Sequence, residues 1–209
     1  MMSRRQALVA VNAISLSRLP LVLAFVGFAV WHGGAGRGGA VPAGTALGLL
    51  VLASLTDLFD GVLARRWGAT SRLGALLDPL MDKVFYLSVF PTLVYLLARA
   101  GEAERPHAVL MLVFTVACLL RDQWVSFLRA AAAGTPADVR ANWIGKLRTA
   151  VSFPIGCAVY VYAAFAPWWL PRPWLYGAEV FGLALTLSSI HVYTRRFLPC
   201  LKRTIEAPP

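Results

Sequence analysis

Six long apolar stretches, separated by short polar joints, account for most of the chain. They lie near Leu16 to Trp31, Ala43 to Arg65, Leu73 to Ala98, Pro106 to Arg129, Lys146 to Pro167 and Trp174 to Tyr193. At a helical rise of about 1.5 Å per residue, stretches of this size are of the order needed to cross the roughly 30 Å hydrocarbon core of a bilayer. The pattern predicts an all-α integral membrane protein with six transmembrane helices, folded as a single domain over residues 1–209. Ahead of the first stretch, Arg4 to Ile14 is expected to form a short interfacial helix on the membrane surface. The first stretch begins too far into the chain and is too long for a simple signal peptide, and no convincing small-residue cleavage site follows it, so it is expected to be retained. Gly33 to Gly44 reads as a flexible connector. Pro167 to Pro173, with Trp168, Trp169 and Trp174, reads as an interfacial turn with an aromatic belt.

Composition agrees: 58% of the residues are hydrophobic and only 14% are charged, which places the chain among membrane proteins. The distribution of its 20 Lys and Arg residues sets an orientation. With the N-terminus in the cytoplasm, sixteen of them fall on the cytoplasmic side, and only Arg37, Arg99, Arg105 and Arg172 fall opposite. By the positive-inside rule both termini are then cytoplasmic. The net charge of +10 reads as attraction to anionic lipid headgroups and phosphorylated substrates. It does not read as nucleic-acid binding, because the charges flank apolar spans and form no single basic face. Cys118, Cys157 and Cys200 are scattered, suggest neither a disulfide framework nor a metal motif, and are expected to be packing residues. His32, His107 and His191 are expected as interfacial or packed residues, not ligands.

The second and third stretches are too polar at their facing ends to be plain anchors. They hold four aspartates in two pairs, Asp57 with Asp60 and Asp78 with Asp82. An ionised carboxylate near the centre of a membrane helix costs roughly 2.5 to 3.5 kcal/mol on insertion scales, so the four together need compensation. Divalent cations held by carboxylate oxygens would supply it. The full constellation is Asp57-x-x-Asp60-Gly61-x-x-Ala64-Arg65, eight residues, then Gly74-x-x-x-Asp78-x-x-x-Asp82. At about 100° per residue the first group shares one side of a helix and the second lines one stripe of the next. Two polar faces can therefore meet across a helical hairpin, with the carboxylates for metal, Arg65 for phosphate, and Gly61, Ala64 and Gly74 letting a large ligand approach the backbone. By orientation this pocket faces the cytoplasm.

This constellation resembles the signature of the CDP-alcohol phosphotransferases, with all eight positions present at the family's spacing. The resemblance implies that Asp57, Asp60, Asp78 and Asp82 hold two divalent cations, Mg²⁺ or Mn²⁺. It implies CDP-diacylglycerol as donor, with its CDP moiety at Gly61, Ala64, Arg65 and Gly74, and Asp82 as the base that takes the acceptor's proton. It also implies a homodimer, with the bacterial inner membrane as its location.

A second polar group lies further on. Leu120-Arg121-Asp122-Gln123 and Ser126-x-x-Arg129 fall in the fourth stretch, and Asn142-Trp143-Ile144-Gly145-Lys146-x-Arg148-Thr149 opens the fifth. Arg121 and Arg129, eight apart, project from one helix face. Joined by Lys146 and Arg148 they would make a pocket for a second phosphate; the alternative is a positive-inside flank with a structural pair between Arg121 and Asp122. Within the family this segment most resembles the phosphatidylglycerophosphate synthases, as do Asn12-x-Ile14 and Arg18, so that the resemblance covers residues 12 to 150. That branch implies glycerol 3-phosphate as acceptor, its phosphate at Arg121, Arg129, Lys146 and Arg148. Asp122 stands where glutamate is usual and Met81 where a small residue is commoner, and the Arg-Asp pair also resembles the cardiolipin synthases.

Other readings are weaker. Cardiolipin, inositol-phosphate and serine-type acceptors stay open within the family. A membrane prenyltransferase also binds diphosphate through aspartates and Mg²⁺, but it would need more than six spans and gives no reason for the small residues. A channel or transporter would explain carboxylates in a membrane but not an arginine in the same stripe.

Overall fold

The computed structural model describes residues 3–32, 40–69, 71–132 and 143–206; for Asp57, Asp60, Asp78, Asp82, several of their neighbours and residues 202–206, only the backbone is described. These residues form six α-helices: α1 (Arg4–His32), α2 (Ala40–Arg66), α3 (Arg72–Arg99), α4 (Arg105–Ala131), α5 (Trp143–Phe165) and α6 (Arg172–Glu206). A single turn of 3₁₀ helix, Glu102–Glu104, leads into α4. Among the described residues, five helices, α1, α2, α4, α5 and α6, are long and apolar enough to cross a membrane. Arg72, Asp78, Asp82 and Lys83 crowd the N-terminal end of α3.

Two sequence expectations change. The interfacial helix expected over Arg4 to Ile14 is not separate: it is the first three turns of α1, which runs unbroken through Pro20. The reason is a continuous buried stripe, Ala7, Val11, Ser15, Arg18, Val22, Phe25 and Ala29, spaced three and four apart. Its first members, Ala7 and Val11, pack with Ala69, Leu63 and Ala64 at the joint between α2 and α3, so packing against protein holds this segment in line. The expected connector Gly33 to Gly44 is shorter than its glycines suggest, since α2 already begins at Ala40; residues 33–39 lie outside the described residues.

The helices alternate in direction, so one end of the bundle gathers the C-termini of α2, α4 and α6 with the N-termini of α1, α3 and α5. We call this the signature end. α1 lies along both α2 and α3, α3 packs on α4, and α6 packs on α4 and α5. The joint after α2 is closed by Gly68 at φ +58°, a left-handed conformation that glycine adopts without penalty. Ala69 N–H donates to the Ala64 carbonyl at 2.9 Å and Gly68 N–H to the Arg65 carbonyl at 3.4 Å, a Schellman ending. Ser71 then caps α3, its hydroxyl accepting from Gly74 N–H at 2.9 Å. These local bonds turn the chain back within five residues, as the predicted hairpin requires.

The core runs through the middle of the bundle, with Phe25, Leu50, Phe90, Met111, Phe114, Ile155 and Val159 in one cluster. At the opposite end a polar cluster joins α4, α5 and α6. His107 and Glu179 are both fully buried, 2.9 Å apart between Nε2 and Oε1. Glu104 accepts from Tyr162 Oη at 2.9 Å and pairs with Arg172, and its other oxygen lies 3.5 Å from His107 Nδ1. Around it, Trp168 and Trp174 are exposed, in keeping with the aromatic turn. His107 is thus a packed residue, as expected, and its partner Glu179 sits within a stretch read only as apolar.

Candidate functional site

The backbone of α2 carries Asp57, Asp60, Gly61, Ala64 and Arg65 in its last three turns, and that of α3 carries Gly74, Asp78 and Asp82 in its first three. The Schellman turn and the Ser71 cap bring these two segments to the same end. The four carboxylates themselves are outside the described side chains. Among the described residues no group of three or more His, Cys, Asp or Glu side chains could hold a metal ion. The donor set nonetheless fits hard divalent cations: carboxylates at spacings of three and four on two helices that start and end together. Around them, Arg65 is exposed and folds back over Gly61, so that a Cβ there would lie 3.5 Å from Arg65 Nη1. At Gly74 a Cβ would lie 3.2 Å from Ser71 Oγ and 3.4 Å from Asn12 Oδ1. Asn12 of α1 therefore borders the signature, a contact that joins the N-terminal segment to the hairpin.

The second group is described in full detail. Arg121 of α4 is 8% exposed. Its Nε donates to Ser189 Oγ of α6 at 3.0 Å, its Nη1 donates to Asp122 Oδ1 at 2.8 Å, and its guanidinium lies 5.2 Å from the centre of the Tyr193 ring. Arg129, two turns on, lies over the same ring at 5.5 Å and donates to Tyr193 Oη at 3.4 Å. Arg148 of α5 is 2% exposed; its Nη2 donates to Asp122 Oδ1 at 2.9 Å, so one carboxylate oxygen joins α4 to α5. A Cβ on Gly145 would come within 2.9 Å of Arg121 Nη2 and 3.1 Å of Tyr193 Oη, and only glycine lets the helix approach this closely.

Of the four predicted phosphate ligands, three converge and one does not. Arg121 and Arg129 share a face as expected, and Arg148 joins them through Asp122. Lys146, two residues before Arg148 and so about 200° around the helix, is exposed. The pair between Arg121 and Asp122 also forms, within the same cluster. Among the described residues, three guanidiniums against one carboxylate leave two positive charges. Arg129 Nε, Arg148 Nε and Arg148 Nη1 are buried and form no hydrogen bond to oxygen or nitrogen among the described residues, although the Arg148 guanidinium lies beside Cys118. Leaving a buried charged donor unsatisfied costs upwards of about 1 to 3 kcal/mol, and an oxyanion is the acceptor that guanidinium donors pair with most strongly.

The sequence reading missed how this cluster meets the aspartates. Lys83, next to Asp82, donates to Ser126 Oγ of α4 at 3.1 Å. Tyr86, one turn beyond Asp82 on α3, has its ring 5.3 Å from the Arg148 guanidinium, and its hydroxyl donates to the Thr149 carbonyl at 3.4 Å. The turn of α3 that carries Asp82 is therefore bracketed by contacts to α4 and α5. The signal available in sequence was the Asp82-Lys83 step itself; the contributions of Ser189 and Tyr193 had none beyond polarity in an apolar helix.

Comparison with known proteins gives a consistent picture. The CDP-alcohol phosphatidyltransferase family model matches residues 8–188. A protein of Sodalis glossinidius is 34% identical over 148 residues, covering 63% of this chain and 76% of the relative. One of Pectobacterium atrosepticum is 35% identical over 151 residues, covering 69% and 74%. One of Yersinia enterocolitica is 38% identical over 103 residues, covering 48% and 52%. All three bear the name CDP-diacylglycerol–glycerol-3-phosphate 3-phosphatidyltransferase. No solved structure matches.

Proposed function

The chain belongs to the CDP-alcohol phosphatidyltransferase family, and on that premise we propose that it transfers the phosphatidyl group of CDP-diacylglycerol to glycerol 3-phosphate, forming phosphatidylglycerophosphate and CMP. The observation that carries the acceptor is the charge of the α4–α5–α6 cluster. Among the described residues it carries two positive charges beyond its one carboxylate and buried guanidinium donors without oxygen or nitrogen partners, which suits a phosphate monoester of roughly −1.5 to −2 at neutral pH. A diester, as in a phospholipid headgroup, carries only one negative charge, and a neutral alcohol none.

In this reading Arg121, Arg129 and Arg148 hold the acceptor phosphate, with Lys146 at the exposed rim. The cluster adjoins the turn of Asp82 through Lys83 and Tyr86, so an acceptor anchored there by its phosphate would direct its free primary hydroxyl toward the signature. Gly61, Ala64 and Gly74 leave room for the CDP moiety, and Arg65 steadies its diphosphate. Two Mg²⁺ or Mn²⁺ ions, held by Asp57, Asp60, Asp78 and Asp82, would neutralise that diphosphate and polarise the phosphorus under attack. Asp82 takes the proton from the acceptor hydroxyl as its oxygen bonds to the β-phosphorus; the bond from that phosphorus to the bridging oxygen breaks, and CMP leaves with the electron pair. General-base help of this kind is worth roughly 10² to 10⁴ in rate.

We further read the protein as six-spanning, with α3 as the sixth span, and as a homodimer in a bacterial inner membrane with both termini and the site cytoplasmic. The sixteen-to-four distribution of Lys and Arg supports the orientation, and the family resemblance supports the dimer. The test is to incubate purified protein with CDP-diacylglycerol, Mg²⁺ and separate acceptors: glycerol 3-phosphate, inositol phosphate, serine and phosphatidylglycerol. Mass spectrometry of the lipid product and release of CMP identify the acceptor. Efficient turnover with serine or phosphatidylglycerol but not glycerol 3-phosphate would sink the acceptor assignment.

A further inference from the structure

Asp122 presents a difficulty for the acceptor site. A carboxylate beside a phosphate pocket repels the ligand, yet this one lies at the centre of the cluster, its side chain 13% exposed. Its geometry supplies the reason. A single oxygen, Oδ1, accepts from Arg121 Nη1 at 2.8 Å and from Arg148 Nη2 at 2.9 Å. Each guanidinium is thereby held at one corner and keeps further N–H groups for a ligand: Arg148 Nε and Nη1 form no hydrogen bond to oxygen or nitrogen among the described residues, although the group also lies beside Cys118, and Arg121 turns Nη2 toward Gly145. Arg121 is held a second time, from α6, by fully buried Ser189. Its torsions are then restrained from two directions before any ligand arrives, and the ordering that an arginine otherwise undergoes on binding is already complete.

We propose that Asp122 and Ser189 are positioning residues for the acceptor: they splay Arg121 and Arg148, from two helices, into a preformed cradle for a phosphate monoester. The inference rests on the acceptor-site reading above and extends it to α6, which contributes nothing to the aspartate signature. Ser189 and Asp122 do not touch the phosphate. They act through the arginines, so their loss weakens acceptor binding and leaves the CDP-diacylglycerol side undisturbed.

The test compares Ser189→Ala, Asp122→Asn, Asp122→Glu and Arg121→Ala in purified protein, measuring kcat, both Michaelis constants and the thermal midpoint. Ser189→Ala and Asp122→Asn are expected to raise the KM for glycerol 3-phosphate about tenfold each, as for loss of one charge-assisted bond, with the KM for CDP-diacylglycerol within about twofold of the parent. Asp122→Glu keeps the charge and recovers most of the affinity. If Ser189→Ala and Asp122→Asn lower only the thermal midpoint, or raise both Michaelis constants alike, the positioning role is overturned. If Asp122→Asn does not fold, Ser189→Ala, which removes one hydroxyl, decides alone. Arg121→Ala separates the two levels: should it also leave the glycerol 3-phosphate KM unchanged, the acceptor site itself is wrong, whereas a rise with Arg121→Ala alone leaves the site standing and removes only the positioning claim.

Discussion

Replacing Gly145 with alanine sets two physical effects against each other. An added methyl group favours the helix by up to about 1 kcal/mol, because alanine loses less backbone freedom than glycine on folding. Yet the new Cβ would stand 2.9 Å from Arg121 Nη2 and 3.1 Å from Tyr193 Oη. Ordinary contact begins near 3.5 Å, so the guanidinium must retreat by roughly 0.6 Å or more. Arg121 cannot swing freely, since it is fixed at 2.8 Å to Asp122 and 3.0 Å to Ser189. A displacement of that size stretches one of these bonds to about 3.4 Å or beyond, past the roughly 2.7 to 3.2 Å of a well-formed N–H···O bond, and costs most of its strength. Losing one charge-assisted bond costs about 1.5 to 3 kcal/mol, equivalent to a 10- to 150-fold weaker hold on the acceptor. Gly145→Ala is therefore expected to fold with a thermal midpoint lowered by roughly 1 to 8 °C, the helical gain offsetting part of the lost bond, while its KM for glycerol 3-phosphate climbs at least tenfold. Steady-state kinetics with each substrate varied in turn, beside a thermal unfolding curve in detergent, measure both. An unchanged glycerol 3-phosphate KM in a folded variant would refute the reasoning, because a methyl group cannot enter that space without moving the arginine.

Three further outcomes are expected. Asp57→Ala, Asp60→Ala and Asp78→Ala should each abolish turnover and weaken Mn²⁺ binding measured calorimetrically; full activity of the parent protein in excess chelator would falsify the metal assignment. Asp82→Asn should bind CDP-diacylglycerol nearly normally while kcat falls about 10²- to 10⁴-fold, and an equal loss of binding would reduce Asp82 to a ligand. At the opposite end of the bundle, His107→Ala removes the partner of fully buried Glu179; breaking a buried pair costs about 3 to 5 kcal/mol. That corresponds to a fall of roughly 6 to 20 °C in the thermal midpoint, with both Michaelis constants unmoved, and a shift under 2 °C would contradict a stabilising role for this pair.

What the sequence determined by itself was everything that depends on position along one helix. Aspartates three and four apart share a face because a helix turns about 100° per residue, and that holds wherever the helix sits. The same rule placed Arg121 and Arg129 on one face, where both now lie over Tyr193. It also could have separated exposed Lys146 from buried Arg148, whose spacing of two puts them on different sides. The hairpin was legible too, since its Gly68 ending and Ser71 cap are local bonds. Tertiary structure decided the partners. Asp122 could have paired with Arg121 alone; the rotation of α5 against α4 gave its oxygen to Arg148 as well, 26 residues away. Ser189 reaches Arg121 across 68 residues and Glu179 reaches His107 across 72, distances over which no periodicity carries information. The first turns of α1 followed the same logic: Arg4 to Ile14 has the composition of a surface helix, but Ala7 and Val11 meet Ala69 and Leu63 in the fold, and that contact turns the segment into a wall of the bundle. Helical phase is a property of the chain, whereas the rotation of one helix against another is set by how the helices pack, and the pairs that complete the arginine cluster form only there.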